Sequence, residues 1–194
     1  AAALSRKSPA DAALFATRRD DFIKRLHVAV FGHELVDLLG GTKLARLSQS
    51  DELVGFLEIS VVDGRPLVDR LGGWLGRMRP HAGTKVISYH KDWSYFAPRF
   101  GLEVVDYIEP KPGIQPSAKH LAELTGRIAR GDVSMILTRP YVEHRSTDML
   151  AGGSKLPVLT LPLEVGGHPE AGDYFKLFDL VTTQIGAAAK GRQP

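Results

Sequence analysis

Apolar residues recur at helical spacing early in the chain, at Phe15, Phe22, Ile23, Leu26 and Val30. Just before them stands Ser8-Pro9-Ala10-Asp11. Ser8 reads as a cap, Pro9 suits a first helical position, and Asp11 completes a capping box. Gly32 is a suitable stop. The pattern predicts a long amphipathic helix from 8 to 31.

From 33 to 79 the periodicity breaks into short helical pieces separated by glycine pairs. One string nearly repeats, LVDLLGG at 35–41 and LVDRLGG at 67–73. Two copies separated by unlike sequence do not make a solenoid, which stacks at least three units. They read as two helix ends closed by Gly-Gly. Leu53, Phe56, Leu57, Leu71, Trp74 and Leu75 would bury this small helical subdomain.

Beyond Gly83 the period changes again. Short β-rich runs fall at 85–89, 102–108, 133–138 and 156–161, with helical stretches at 92–100, 117–130, 143–151 and 172–189. Apolar strands alternating with helices predict βαβ units, hence a four-stranded parallel sheet flanked by helices in an α/β fold. The expected organisation is a long linking helix over 1–32, a helical insertion over 33–82 and an α/β lobe over 83–194.

Composition narrows the function. Hydrophobic residues at 43% in 194 residues supply a real core, and a net charge of +3 is too small for a disordered chain. No apolar run approaches the roughly 20 residues of a membrane span. Lys and Arg are scattered, with no basic stripe interleaved with aromatics, so no nucleic-acid partner is expected. Cysteine is absent, so any metal must be held by nitrogen and oxygen. The N-terminus, AAALSRKSPA, lacks the charged-then-apolar layout of a secretory signal.

In a parallel sheet, ligands bind at the carboxyl ends of the strands. There the chain places His90 after the first strand, Glu109 after the second, Arg139-Pro140-Tyr141 after the third and Glu164 after the fourth. His90, Glu109 and Glu164 together offer one imidazole and two carboxylates, donors that zinc or manganese accepts. Each has a plainer reading beside this one. His90 can simply close a strand end, Glu109 lies in the proline-rich turn EPKPGIQPS, and Glu164 reads equally as a solvated loop residue. His168, between Gly167 and Pro169, reads as exposed, and His27, His33, His81, His120 and His144 as surface or helix-end residues. No dinucleotide, Walker, zinc-protease or serine-hydrolase motif is present. Asp92 follows His90 at the spacing of an orienting partner, but no Ser or Cys nucleophile is nearby, and Asp92 reads as a helix cap.

The string YHKDWSYFAPRFGLEVVDYIEPKPGIQPSAKHL, residues 89–121, resembles the C-terminal lobe of the zinc- and manganese-type solute-binding proteins of bacterial metal ABC importers. The likeness continues through VSMILTRPYVE and LPVLTLPLEVGGHPEAGDYFKLFDLV, spanning 84–185 in all. The helix at 8–31 resembles that family's backbone helix, and the glycine-paired insertion resembles one branch of it. The resemblance implies a protein that is not an enzyme. It implies an extracytoplasmic component, often lipid-anchored at full length, that captures Zn2+ or Mn2+ and delivers it to an ABC permease. It implies that His90 is a ligand. Where the family has an acidic ligand after its last strand, this chain reads Leu161-Pro162. Glu109 or Glu164 is then expected to substitute, Glu109 first. It also implies that the family's N-terminal lobe, with two further His ligands, lies outside this chain. The alternatives are a non-metal or adhesin-like binding module of the same fold, and a small His-dependent α/β enzyme built on His90 and Asp92.

Overall fold

The computed structural model describes residues 1–191. The chain forms two compact units, Ala1–Gly76 and Arg77–Pro194. The first begins with α1 (Ala2–Lys7), a 3-10 turn at Pro9–Asp11 and α2 (Ala12–Phe31). The start of α2 differs from the capping-box expectation. Ser8 Oγ donates to Asp11 Oδ2 at 2.7 Å, and neither side chain caps a backbone N–H. A carboxylate two residues past Pro9 meets the hydroxyl before the backbone can, so a 3-10 turn precedes the long helix. Gly32 ends α2 as expected, at φ +84.

Next come α3 (His33–Leu39), α4 (Gly41–Gln49) and α5 (Leu53–Ile59), then the antiparallel pair β1 (Val61–Val62) and β2 (Arg65–Pro66). Asp63 and Gly64 both take positive φ between these strands, as a tight hairpin turn requires. The hairpin escapes sequence reading because each strand is two residues long. The two LVD-LGG strings also part company. The first is a helix closed by Gly40, whereas Leu67–Arg70 is a 3-10 turn. Gly72 then serves close approach instead of capping. Its N–H donates to Phe31 O at 3.0 Å, and a Cβ built on Gly32 would lie 2.7 Å from Gly72 Cα. Phe31, Leu35, Leu44, Leu53, Leu57, Leu67 and Val68 form this unit's core. Phe22 and Ile23 of α2 stay about two-fifths exposed.

The division between units falls within α6 (Gly73–Met78). The second unit continues through a 3-10 turn at Arg79–His81, β3 (Lys85–Ser88), a 3-10 turn at Lys91–Trp93, α7 (Phe96–Arg99), β4 (Glu103–Tyr107), α8 (Ala118–Ala129), β5 (Met135–Thr138), α9 (Arg145–Gly152), β6 (Val158–Thr160) and α10 (Tyr174–Lys190). The four strands pair in parallel in the order β4-β3-β5-β6. Every residue of β5 is buried, as a strand covered on both faces must be. Ile87, Ile108 and Ile136 pack with Leu124 and Ile128 of α8 and Leu150 of α9. Phe178 of α10 meets Phe96 and Phe100 with ring centroids 6.1 and 6.3 Å apart.

The expected helix at 92–100 is only a 3-10 turn and one α-turn, though Trp93, Ala97 and Phe100 are still buried at helical spacing. Asp92 does not cap it, because its carboxylate is drawn to Arg139, 3.6 Å away. Ser117 and Asp173 do cap α8 and α10, accepting from His120 N at 3.2 Å and Lys176 N at 2.9 Å.

Candidate metal site

β3 lies between β4 and β5, so the chain leaves it toward one edge and later returns on its other side. That reversal opens a crevice at the carboxyl ends of β3 and β5, where open α/β sheets hold ligands. His90 follows β3 by two residues, and Arg139 directly follows β5. Backbone pairing runs past the strand ends and fixes both approaches. Tyr89 N donates to Leu137 O, and Glu109 N donates to Tyr89 O, each at 2.9 Å. The buried Ser88 hydroxyl donates to the His90 carbonyl and pins the turn.

His90 and Glu109 stand together, 7% and 9% exposed, with His90 Nε2 3.3 Å from Glu109 Oε2. Nε2 makes no well-formed hydrogen bond there. The other carboxylate oxygen, Oε1, accepts the Gly113 N–H across the EPKPG turn. Gly113 has φ +81, a conformation that suits glycine. The Tyr89 hydroxyl also bonds this carboxylate. Burial raises the Tyr89 pKa above the ordinary tyrosine value, and the Glu109 and Glu143 charges and the bond to Glu109 reinforce the shift. On the far side of the imidazole, Arg139 Nη2 lies 3.1 Å from His90 Nδ1. Arg139 Nη1 lies 3.6 Å from Asp92 Oδ1, and its Nε is buried without a partner among the described residues.

The structure therefore brings His90 and Glu109 together and leaves Glu164 apart, exposed on the loop after β6. Among the described residues no three His, Cys, Asp or Glu side chains stand close enough to hold a metal ion. Arg139 contacts both His90 and Asp92. Sequence reasoning gave no role to Arg139, Tyr89 or Gly113. Arg139 had one usable signal, its place directly after a buried strand.

The remaining histidines divide. His33 is exposed, and His27, His120, His144 and His168 are half-buried. His120 Nε2 donates to Tyr107 O at 2.7 Å, and His168 Nδ1 accepts from Glu170 N at 3.2 Å. His81 is a correction to the surface reading. It is 3% exposed, its ring against Gly186 of α10. The reason is that Arg79–His81 turns under α10, a tertiary contact that local sequence does not carry. Burial, with the nearby Lys190 charge, lowers the His81 pKa below 6.5.

No curated protein sequence matches the chain. Among solved structures it resembles the solute-binding protein FpvC of Pseudomonas aeruginosa, described in complex with Ni2+. That likeness has a TM-score of 0.61 at 19% identity and covers 98% of this chain and 56% of that one. The Mn2+ complex of FpvC gives 0.56 at 18% identity, covering 98% and 57%. A structure of ZnuA gives 0.50 at 21% identity, covering 76% and 53%. The chain thus spans little more than half the length of these proteins, and at such identities the likeness concerns the fold. The family model described as ZnuA, zinc-uptake complex component A, periplasmic, matches residues 75–188, most of the α/β unit. The chain belongs to that family of metal-binding solute-binding proteins.

Proposed function

We propose that this chain captures a divalent metal, zinc or manganese, outside the cytoplasm for delivery to an ABC permease. His90 and Glu109 are the residues that would touch the ion. The observation that carries this reading is a buried imidazole nitrogen without a well-formed bond, facing a buried carboxylate at the sheet's crevice. A metal replaces the missing partner of Nε2 and takes Oε2 as a second donor. One imidazole and one carboxylate suit zinc and manganese alike, so availability decides between them. Family membership supports the reading, and so do relatives of this fold described with bound Ni2+ and Mn2+.

Two donors hold a metal weakly. The rest of the coordination sphere comes, in this reading, from a second lobe of the kind the resemblance implies. Glu164 stands outside the pair, and reaching it would require the loop after β6 to move inward.

The test is a calorimetric Zn2+ titration of this chain beside its His90→Ala variant at neutral pH. Weak one-to-one binding that disappears in the variant is expected. Equal heats in both proteins would remove His90 from the reading. No heat in either would leave this chain without a metal of its own.

A further inference from the structure

The contact between Arg139 and His90 constrains which nitrogen of His90 carries a hydrogen. A guanidinium has five N–H donors and no acceptor. Arg139 Nη2, 3.1 Å from His90 Nδ1, therefore needs a lone pair on Nδ1. A neutral imidazole with a lone pair on Nδ1 carries its hydrogen on Nε2. That hydrogen faces Glu109 Oε2 at 3.3 Å. The arrangement satisfies Arg139 and withholds from solution the nitrogen that faces Glu109.

A metal between His90 and Glu109 needs the Nε2 lone pair. Once Nε2 is metallated, the hydrogen of a neutral ring sits on Nδ1. Two donors would then oppose each other across 3.1 Å, beside a cation. The Arg139 contact and the metal are mutually exclusive. Asp92 supplies the alternative, since its Oδ1 already lies 3.6 Å from Arg139 Nη1.

We propose that Arg139 is a latch opposed to metal binding: its guanidinium holds His90 as the Nε2–H tautomer against Glu109, and the ion enters when the guanidinium moves off Nδ1 toward Asp92. The inference rests on the metal reading above and adds to it the residue that sets its affinity. Arg139 touches no metal in either state, and so it is a positioning residue. Its buried, unpartnered Nε shows that the latched state leaves a donor unpaired, as expected of a contact that yields.

Two measurements on this chain test the latch. Long-range proton–nitrogen NMR of the metal-free protein should show His90 as the Nε2–H tautomer, a readout that needs no metal. Zn2+ titrations should then give Arg139→Gln an affinity at least about tenfold tighter than wild type, because a glutamine oxygen accepts from Nδ1–H and carries no charge. The gain should vanish in Arg139→Gln/His90→Ala. Arg139→Lys keeps the charge and a donor, and should stay within about threefold of wild type. An Nδ1–H tautomer in the metal-free protein would overturn the latch outright. Arg139→Gln binding no tighter than wild type, while His90→Ala still abolishes binding, would overturn the latch and leave the metal reading standing. Zn2+ bound by neither wild type nor Arg139→Gln would overturn both.

Discussion

Two buried histidines stand at opposite ends of β3, and their surroundings differ in kind. His81 precedes the strand and lies under α10, its Nδ1 without a partner among the described residues and its ring against Gly186. Its charged neighbour is Lys190, a cation. His90 follows the strand and lies between Arg139 and Glu109, one charge of each sign. Burial is nearly equal, at 3% and 7% exposure. Burial alone therefore does not mark a binding site. What distinguishes His90 is a carboxylate aimed at the same point as its free nitrogen, at the end of the sheet where ligands enter. His81 has packing and the Lys190 charge around it, and its lone nitrogen is a tolerated cost of filling space beneath a helix.

The largest effect is expected at the His90 end. Glu109→Leu removes the acceptor of the Gly113 N–H and of the Tyr89 hydroxyl. Tyr89 is buried, and a buried donor left unpaired costs about 1–3 kcal/mol. Urea unfolding should show a lower midpoint at unchanged slope. An unchanged midpoint would mean these donors reach water, and the buried pair would lose its physical basis.

The His81 end should respond to pH instead. Because the folded protein holds the His81 pKa below its unfolded value of 6.5, protonation favours the unfolded chain. The stability is full above pH 6.5 and declines as pH falls through it. The decline stops once the folded-state pKa is passed. A single proton sets the limit, about 1.4 kcal/mol per pH unit at the steepest. His81→Leu should flatten this limb relative to wild type between about pH 6.5 and 5. Parallel curves for the two proteins would show that His81 is solvated and the contrast between the two ends false.

Much of the α/β unit was legible because its signals are local. The continuous apolar runs of the strands lie within the elements they define. The strand-end positions of His90 and Glu109 were legible for the same reason, each directly following a predicted strand. What was hidden depends on contacts between distant positions. Arg139 reaches His90 across 49 residues of chain, and His81 is buried by a helix that starts at Tyr174. The two LVD-LGG strings read alike, yet Gly40 ends a helix and Gly72 touches Gly32, a difference that only packing decides.

A cap substitution separates fold from site. Asp173→Ala removes the acceptor for Lys176 N at the start of α10 and should cost about 1 kcal/mol. The loss belongs to the His81 side, so the Zn2+ affinity of the folded protein should not move. A fall in affinity that parallels the fall in stability would couple the two ends of β3.

The smallest effect is the most discriminating. Gly186 sits inside α10, where glycine is about 0.5–1 kcal/mol less favourable than alanine. A Cβ there would meet His81 Nε2 at 3.4 Å and Cδ2 at 3.5 Å, close contact without overlap. Gly186→Ala should therefore stabilise the protein at pH 8, by no more than the helix-propensity gain. The added methyl also shields the ring further from water and pushes the His81 pKa further down. The gain should then shrink as pH falls below 6.5, because the folded state resists protonation more than before. A destabilised variant at pH 8 would mean that the ring cannot yield a few tenths of an ångström and that glycine is there for space. A gain that is constant with pH would mean that Nε2 keeps its water, and His81 would no longer serve as the packed counterpart against which His90 is read.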